Sequence, residues 1–456
     1  MKEIERPKIL FLMSQNPDID HLAPVAALLA ETNKYSIRVL SYQKRVNFQE
    51  DIRVKYLVEK YGVRVTAISD YYPFFPNLPF ALSSWRSFWG LKCRNTEPFM
   101  FYGINIKSIF YPRFHIFRIS RYLVDKSLLL MLNHKKWGES LFDSENPSVV
   151  VIDHAFNTEW INSFINKVHG MSIPTISFPH SCFMFTQMWE KLIPDHTEKD
   201  FPWNSVIVES SSRVELLSQL GVPITKMYPL GCIRYTQWWI KRISESNSKL
   251  PKIDGDHRPL VVFFASGGKV TLVDQLNDMY ALMLQYKNEI RFIVKTHERR
   301  NNLPSFNKLL QGGIEVITSE YNSSSLIDCS DYILITGSSV VNEAILKNKK
   351  IIVARFTTLL NTTYSFYKVA NTVHSIDDLV QVFDKIIINE WKTEVKNSAI
   401  KAYLKNCVYG GHNNESELID SCLNLFAQAA YANSVNDYKI NIENLRSKKL
   451  SDLEKL

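Results

Sequence analysis

Asp331 to Val353 reads DYILITGSSVVNEAILKNKKIIV. The apolar run Tyr332–Ile335 has the length of a buried strand. Gly337-Ser338-Ser339 interrupts it, a helix is expected from about Val340, and Lys350–Ala354 returns as a second strand. Strand, small polar turn, helix and strand together make one unit of a parallel sheet. The turn also carries a chemical signal. A helix N-terminus collects unpaired amides and about half a positive charge, so anions settle there. Ser338 and Ser339 are placed either to cap the helix or to bind phosphate oxygens. Glu343, about one turn in, either accepts from ribose hydroxyls or serves only as an acid complementing the helix dipole.

The same alternation runs outward in both directions. Towards the N-terminus, PLVVFFA (259–265), IRFIVKT (290–296) and IEVIT (314–318) read as strands, with helices over Asp274–Tyr286 and Ser324–Cys329. An earlier set begins with a strand at Lys8–Ser14, a loop QNPDIDH, a helix at Leu22–Glu31, the strand YSIRVLSY, a helix at Gln49–Tyr61 and the strand VRVTAI. It resumes with PSVVVIDHAF, a helix over Thr158–Val168, IPTISFPHSC, WNSVIVESS, a helix over Ser211–Leu220, and YPLGCIRY. Ser244–His257, rich in Ser, Lys, Asp and Pro, is the linker candidate. The fold class expected is α/β, with two Rossmann-like doubly wound domains facing a central cleft. Their bounds are 1–243 and 258–414, with a terminal helix over 415–432 packing back on the first domain and an exposed tail over 433–456. Length alone, 456 residues, argues for two cores rather than one.

Residues 70–136 break the pattern. Aromatics crowd this segment, interleaved with Arg86, Lys92, Arg94, Lys107, Arg113, Arg118, Arg121 and Lys126. Its first reading is a helical insertion in the first domain whose aromatics fill a core. Its second is a surface for anionic lipid headgroups. No nucleic-acid recognition motif accompanies it, so nucleic acid is not the expected partner.

Ligands of doubly wound sheets bind outside the carboxyl ends of the strands. In the second domain those ends carry Ser266-Gly267-Gly268-Lys269, then Lys295 and His297, then Gly337-Ser338-Ser339 with Glu343. Small residues let backbone amides approach an anion, and Lys269, Lys295 and His297 add donors or positive charge. Each loop read alone is also an ordinary turn; their shared placement is the stronger signal, and it describes a pocket for a nucleotide-linked donor. The first domain offers Asp20, His21, Asp153 and His180 at its strand ends as candidates for a general base, with Asp20 or His21 first. Arg234, after the Gly231 loop, is a candidate for the donor phosphate.

Composition narrows the class. Net charge is +8, favouring anionic partners. Six cysteines stand apart with no Cys-x-x-Cys pair, which argues against a zinc site or redox dithiol and for buried thiols in a reducing compartment. The first residues lack a secretory pattern and no apolar run approaches the about 20 residues of a membrane helix. The expectation is a cytoplasmic protein, peripheral to the inner face of the membrane on the second reading of 70–136.

The Lys-x-His after one strand and SDYILITGSSVVNEAI after another resemble the C-terminal domain of GT-B fold enzymes. Similar members are bacterial surface-polysaccharide glycosyltransferases, CDP-glycerol or CDP-ribitol phosphotransferases and UDP-N-acetylglucosamine 2-epimerases. GMSIPTISFPHSCF and the stretch from Val206 to Tyr235 resemble strand-and-loop segments of the same superfamily, with Ser181 in place of a glycine. Glu298 replaces the proline of a sialyltransferase His-Pro motif. The epimerase signature is met only in part: Gly337 stands for its aspartate, Ser339 and Val340 for its glycines, and Glu343 for its first glutamate. The resemblance implies a metal-independent transferase without a cofactor. A nucleotide-sugar or CDP-alditol donor would sit in the second domain and a glycan or lipid-linked acceptor in the first. An epimerase and an inactive binding component of a polysaccharide assembly remain the alternatives.

Overall fold

A computed structural model describes residues 6–13, 16–41, 50–67, 100–101, 104–105, 139–153, 168–179, 182, 184–186, 203–219, 221–245, 256–265, 271–296, 304–318, 321–393, 395–432, 436–439 and 443. The first half contains β1 (Lys8–Met13), α1 (Asn16–Glu31), β2 (Ser36–Ser41), α2 (Ile52–Tyr61), β3 (Arg64–Ala67), β4 (Met100–Phe101), β5 (Ile104–Asn105), α3 (Glu139–Glu145), β6 (Val149–Asp153), β7 (Thr175–Phe178), β8 (Ser205–Val208), α4 (Ser211–Ser218), β9 (Met227–Pro229) and α5 (Gln237–Glu245). The second half contains β10 (Leu260–Phe264), α6 (Val273–Gln285), β11 (Arg291–Lys295), α7 (Pro304–Gln311), β12 (Glu315–Ile317), α8 (Ser323–Cys329), β13 (Tyr332–Ile335), α9 (Val340–Leu346), β14 (Lys350–Ala354), α10 (Thr363–Phe366), β15 (Asn371–Val373), α11 (Ile376–Ile387), α12 (Asn397–Tyr403) and α13 (Glu415–Ala430).

Two parallel sheets result. Their orders are β3-β2-β1-β6-β7-β8-β9 and β12-β11-β10-β13-β14-β15. Both step outward from a first strand, reverse, and step outward the other way, which is the doubly wound pattern. The reversals fall between β1 and β6 in one sheet and between β10 and β13 in the other. Strands such as Val149–Asp153 and Leu260–Phe264 are buried on both faces, as parallel strands covered by helices require. Alternate side chains divide between layers. Ile9, Phe11 and Met13 join a cluster that runs through both halves, whereas Leu10 and Leu12 face the outer helices.

The quoted stretch folds as read, with register Phe264↔Ile335 and Ile335↔Val353 aligning the strand ends around the turn. Other elements depart from the reading. α1 begins at Asn16, not Leu22, so Asp20 and His21 lie in helix rather than in a loop. Pro17 is tolerated there because the first helical turn has no use for its missing N–H. α5 occupies Gln237–Glu245, carrying helix into the start of the expected linker. α13 ends at Ala430, two residues short of the expected end, and buries Phe426 against Phe11 and Phe178, each at a centroid distance of 6.3 Å. The tail is not wholly exposed: Tyr438 is fully buried and its hydroxyl donates to Ser205 Oγ at 2.7 Å. Burying an aromatic ring outweighs the polar composition around it. Most of 70–136 lies outside the described residues, and the part within them, β4 and β5, is an antiparallel pair rather than helix. No helix among the described residues is long and apolar enough to cross a membrane.

Candidate functional site

The turn after β13 is held from below. The fully buried Tyr364 hydroxyl donates to the Thr336 carbonyl at 2.9 Å. That contact fixes the point where the chain leaves the sheet. Gly337 then passes the ring of Phe185, and a Cβ there would come within 3.2 Å of its Cζ. Phe185 belongs to the segment after β7 and pairs with Thr362 as an isolated antiparallel bridge, so the first half reaches directly to the turn.

The serines are not consumed by capping. Ser339 is the N-cap of α9 but makes no side-chain cap bond. Among the described residues Ser338 Oγ accepts only a long 3.4 Å contact from the Val340 N–H. Both are half-buried, so hydroxyls and amides remain at the head of the helix. α9 itself is pinned by the Tyr403 hydroxyl, which donates to Asn342 Oδ1 at 2.7 Å in the core. Gln237 Nε2 donates to the Leu346 carbonyl at its other end, 2.8 Å away. Glu343 is nearly buried and paired with Lys347 Nζ at 2.9 Å, one turn later on the same face. Lys347 also meets Asp328 at 2.8 Å and donates to Ser324 Oγ at 2.8 Å.

Across from this helix stands the short 3-10 turn Ile233–Tyr235. Its Arg234 Nη1 lies 2.9 Å from Asp20 Oδ2, with the two side chains 20% and 26% exposed. Arg53 donates to the other oxygen of Asp20 and is itself held by Asp51, the N-cap of α2. Burial alone would raise the Asp20 carboxyl, but Arg234 and Arg53 outweigh it and hold it below the usual carboxylate range. Burial works against the Arg234 charge as well, yet Asp20 wins and its guanidinium is held more firmly protonated, with Glu343 on the facing helix contributing in the same direction. The Tyr235 hydroxyl is fully buried beside Ser339, with no hydrogen bond of good geometry among the described residues.

The structure therefore brings Arg234, Asp20, Glu343 and Ser339 to one place between the halves. His21 adjoins Asp20 on α1 and is 5% exposed. Asp153, 2% exposed, ends β6 on the other side of the first sheet's reversal. Lys295 points elsewhere: its ammonium donates to the Thr318 carbonyl after β12, on the far side of β11 from the turn. His180, Ser266, Gly267, Gly268, Lys269 and His297 lie outside the described residues. The sequence reading missed Arg53, Tyr235, Gln237 and Lys347. Arg53, Tyr235 and Gln237 act on partners distant in sequence, so nothing local marks them, whereas Lys347 pairs with Glu343 at the i,i+4 spacing that the sequence does carry.

No protein-family model matches the sequence, and no curated protein is similar to it at a significant level. Solved structures are similar along nearly the whole chain. A putative UDP-N-acetylglucosamine 2-epimerase from Listeria monocytogenes has 11% sequence identity and a TM-score of 0.53, covering 93% of this chain and 96% of its own. The chain has the GT-B fold. S. aureus MnaA in a co-structure with UDP shares this GT-B fold at 10% identity and TM-score 0.51, covering 92% of this chain and 96% of its own. UDP-GlcNAc 2-epimerase from Methanocaldococcus jannaschii does so at 13% identity and TM-score 0.50, covering 91% and 99%. In this GT-B fold β1, which leads into α1 and Asp20, borders the reversal of the first sheet, and β13, which leads into the Gly337-Ser338-Ser339 turn, borders that of the second.

Proposed function

We propose that the chain is a glycosyltransferase moving a sugar from a nucleotide-activated donor to a glycan or lipid-linked acceptor of bacterial surface polysaccharide. The observation that carries this reading is that Arg234, fixed by Asp20, stands on the 3-10 turn whose Tyr235 lies beside Ser339, the N-cap of α9 that makes no side-chain cap bond. Transfer expels a nucleotide whose phosphate gains negative charge in the transition state. Donors already oriented at that position lower the barrier without reorganising. In this reading Arg234, Ser338, Ser339 and the amides of the turn hold the phosphate, Glu343 accepts from the ribose, and His297 and Lys269 supply further positive charge. Lys295, engaged by Thr318, is a secondary candidate. Asp20 is a poor base, since two arginines stabilise its ionised form. It orients Arg234, and His21, Asp153 or His180 takes the acceptor's proton.

An epimerase is the second reading, favoured because the similar solved structures named above are described as such enzymes or contain UDP. A CDP-alditol phosphotransferase would use the same cations. A thermal-shift panel of CMP-, CDP-, UDP- and GDP-linked donors tests the shared premise, because a bound ligand raises apparent stability. Product analysis then separates the chemistries. Transfer releases nucleotide only when an acceptor is present, whereas epimerisation alters the nucleotide sugar without one. A melting midpoint unmoved by every nucleotide overturns all three. Residues 70–136 are proposed to rest on anionic lipid. Failure to pellet with anionic vesicles at low salt removes that part.

A further inference from the structure

Cys182 and Cys232 are 50 residues apart in sequence, and their sulfurs lie 3.0 Å apart. Both are buried, at 4% and 3% exposure. Each sits on a segment pinned by backbone hydrogen bonds. The Cys232 N–H donates to the Val408 carbonyl at 2.8 Å. Its neighbour Gly231 packs so tightly that a Cβ would come within 2.7 Å of the Tyr409 carbonyl carbon. Beyond Cys182, the Met184 carbonyl accepts from the Thr363 N–H at 2.7 Å, and the Thr186 N–H donates to the Asn361 carbonyl at 3.0 Å. The backbone therefore holds the two thiols together. They need approach only about 1 Å further to reach the about 2.05 Å of a disulfide.

We propose that Cys182 and Cys232 are a modification site that closes to a reversible disulfide, with a hydroperoxide as oxidant. The sequence alone pointed to buried thiols in a reducing compartment and did not contain this pairing. One sulfur attacks the peroxide oxygen, forming an S–O bond as the O–O bond breaks; the thiol proton leaves with the expelled hydroxide as water. The second sulfur then displaces the hydroxyl of the sulfenic acid, forming the S–S bond and a second water. Two thiols and one hydrogen peroxide give one disulfide and two waters, and the two electrons pass from sulfur to the peroxide. A small uncharged oxidant suits a pair with so little exposure. The hydrogen bond with Cys232 first, and burial second, hold the Cys182 proton more tightly than in an ordinary thiol, so the reaction is slow. The bond would tie the segment carrying Phe185 to the turn carrying Arg234. Cys407, also buried, is the competing neighbour whose charge Cys182 influences.

The test treats the folded full-length chain with hydrogen peroxide, blocks remaining thiols under denaturing conditions, and maps digested peptides by mass. The expected result is loss of two blockable thiols and one linked peptide joining Cys182 to Cys232, lighter by two hydrogens than the sum. It reverses with dithiothreitol and persists in Cys407→Ser. A Cys182–Cys407 link, separate sulfinic acids on Cys182 and Cys232, or full blocking of both thiols at peroxide levels that oxidise the unfolded chain overturns the proposal. None of these readouts requires a nucleotide ligand, so they stand apart from the donor reading.

Discussion

Arg234 of the 3-10 turn and Asp20 of α1 meet at 2.9 Å although 214 positions separate them in the chain, and Arg53 closes on the same carboxylate from α2. The pair is only about three-quarters buried, so its worth lies less in raw stability than in holding one guanidinium in one place.

Asp20→Asn leaves two arginines facing a neutral amide. We expect a stability loss on the order of 1–3 kcal/mol at pH 7, below that of a fully buried broken pair. The Asp20 carboxyl has a lower pKa folded than unfolded, so its contribution is complete above its ordinary value of 3.8 and fades as the pH falls through the folded value. Urea midpoints of wild type and variant should therefore differ at pH 7 and converge in acid. A gap that is constant with pH would contradict the pairing.

Ser338→Ala and Ser339→Ala should each weaken binding of the preferred donor by about tenfold, the loss of one hydrogen bond to a charged group. Neither hydroxyl makes a short bond to the described residues, so melting midpoints without ligand should stay within about a degree or two of wild type. Titration calorimetry beside a thermal scan checks both halves of the expectation. Unchanged affinity in both variants would move the phosphate away from this turn. His297→Ala should reduce turnover by at least about tenfold on the same reasoning.

Glu343→Gln separates ribose recognition from phosphate recognition. If the carboxylate accepts from ribose hydroxyls, a nucleoside diphosphate should bind about tenfold more weakly while inorganic pyrophosphate is unaffected. Equal losses for both ligands would assign Glu343 to holding Lys347, its 2.9 Å partner, rather than to the nucleotide.

Gly231→Ala and Gly221→Ala both place a side chain on left-handed backbone, at φ of 103° and 90°. Only Gly231 also meets backbone, with the Tyr409 carbonyl carbon 2.7 Å from a new Cβ, while Gly221 has open space. Gly221→Ala should cost about 1–2 kcal/mol from strain alone, and Gly231→Ala about 3 kcal/mol or more. Denaturant midpoints will rank them. Equal costs would mean that the close packing of Gly231 on the Gly410 segment is not limiting.

Much of the sheet architecture could be read along the chain. Val149–Asp153, Leu260–Phe264 and Tyr332–Ile335 are short apolar runs bounded by turn residues, and a strand buried on both faces leaves that trace. The polar break at Gly337-Ser338-Ser339 was equally visible, as was the terminal helix that carries Phe426. α11 was missed although Ser375 and Asp378 form a reciprocal cap at its start, a signal carried by residues only three apart. The buried Tyr438 was missed because one aromatic in a polar tail carries no periodicity.

The sequence by itself determined the alternation of elements, the doubly wound class and the Gly337-Ser338-Ser339 turn, since each is written in residues near one another. Tertiary structure alone decided that Asp20 is held ionised by Arg53 and Arg234, that Lys295 is drawn to Thr318, and that Cys182 faces Cys232. Those partners are 23 to 214 positions apart. A side chain's charge and reactivity follow from what lies within a few ångströms, and such neighbours are chosen by folding rather than by order along the chain.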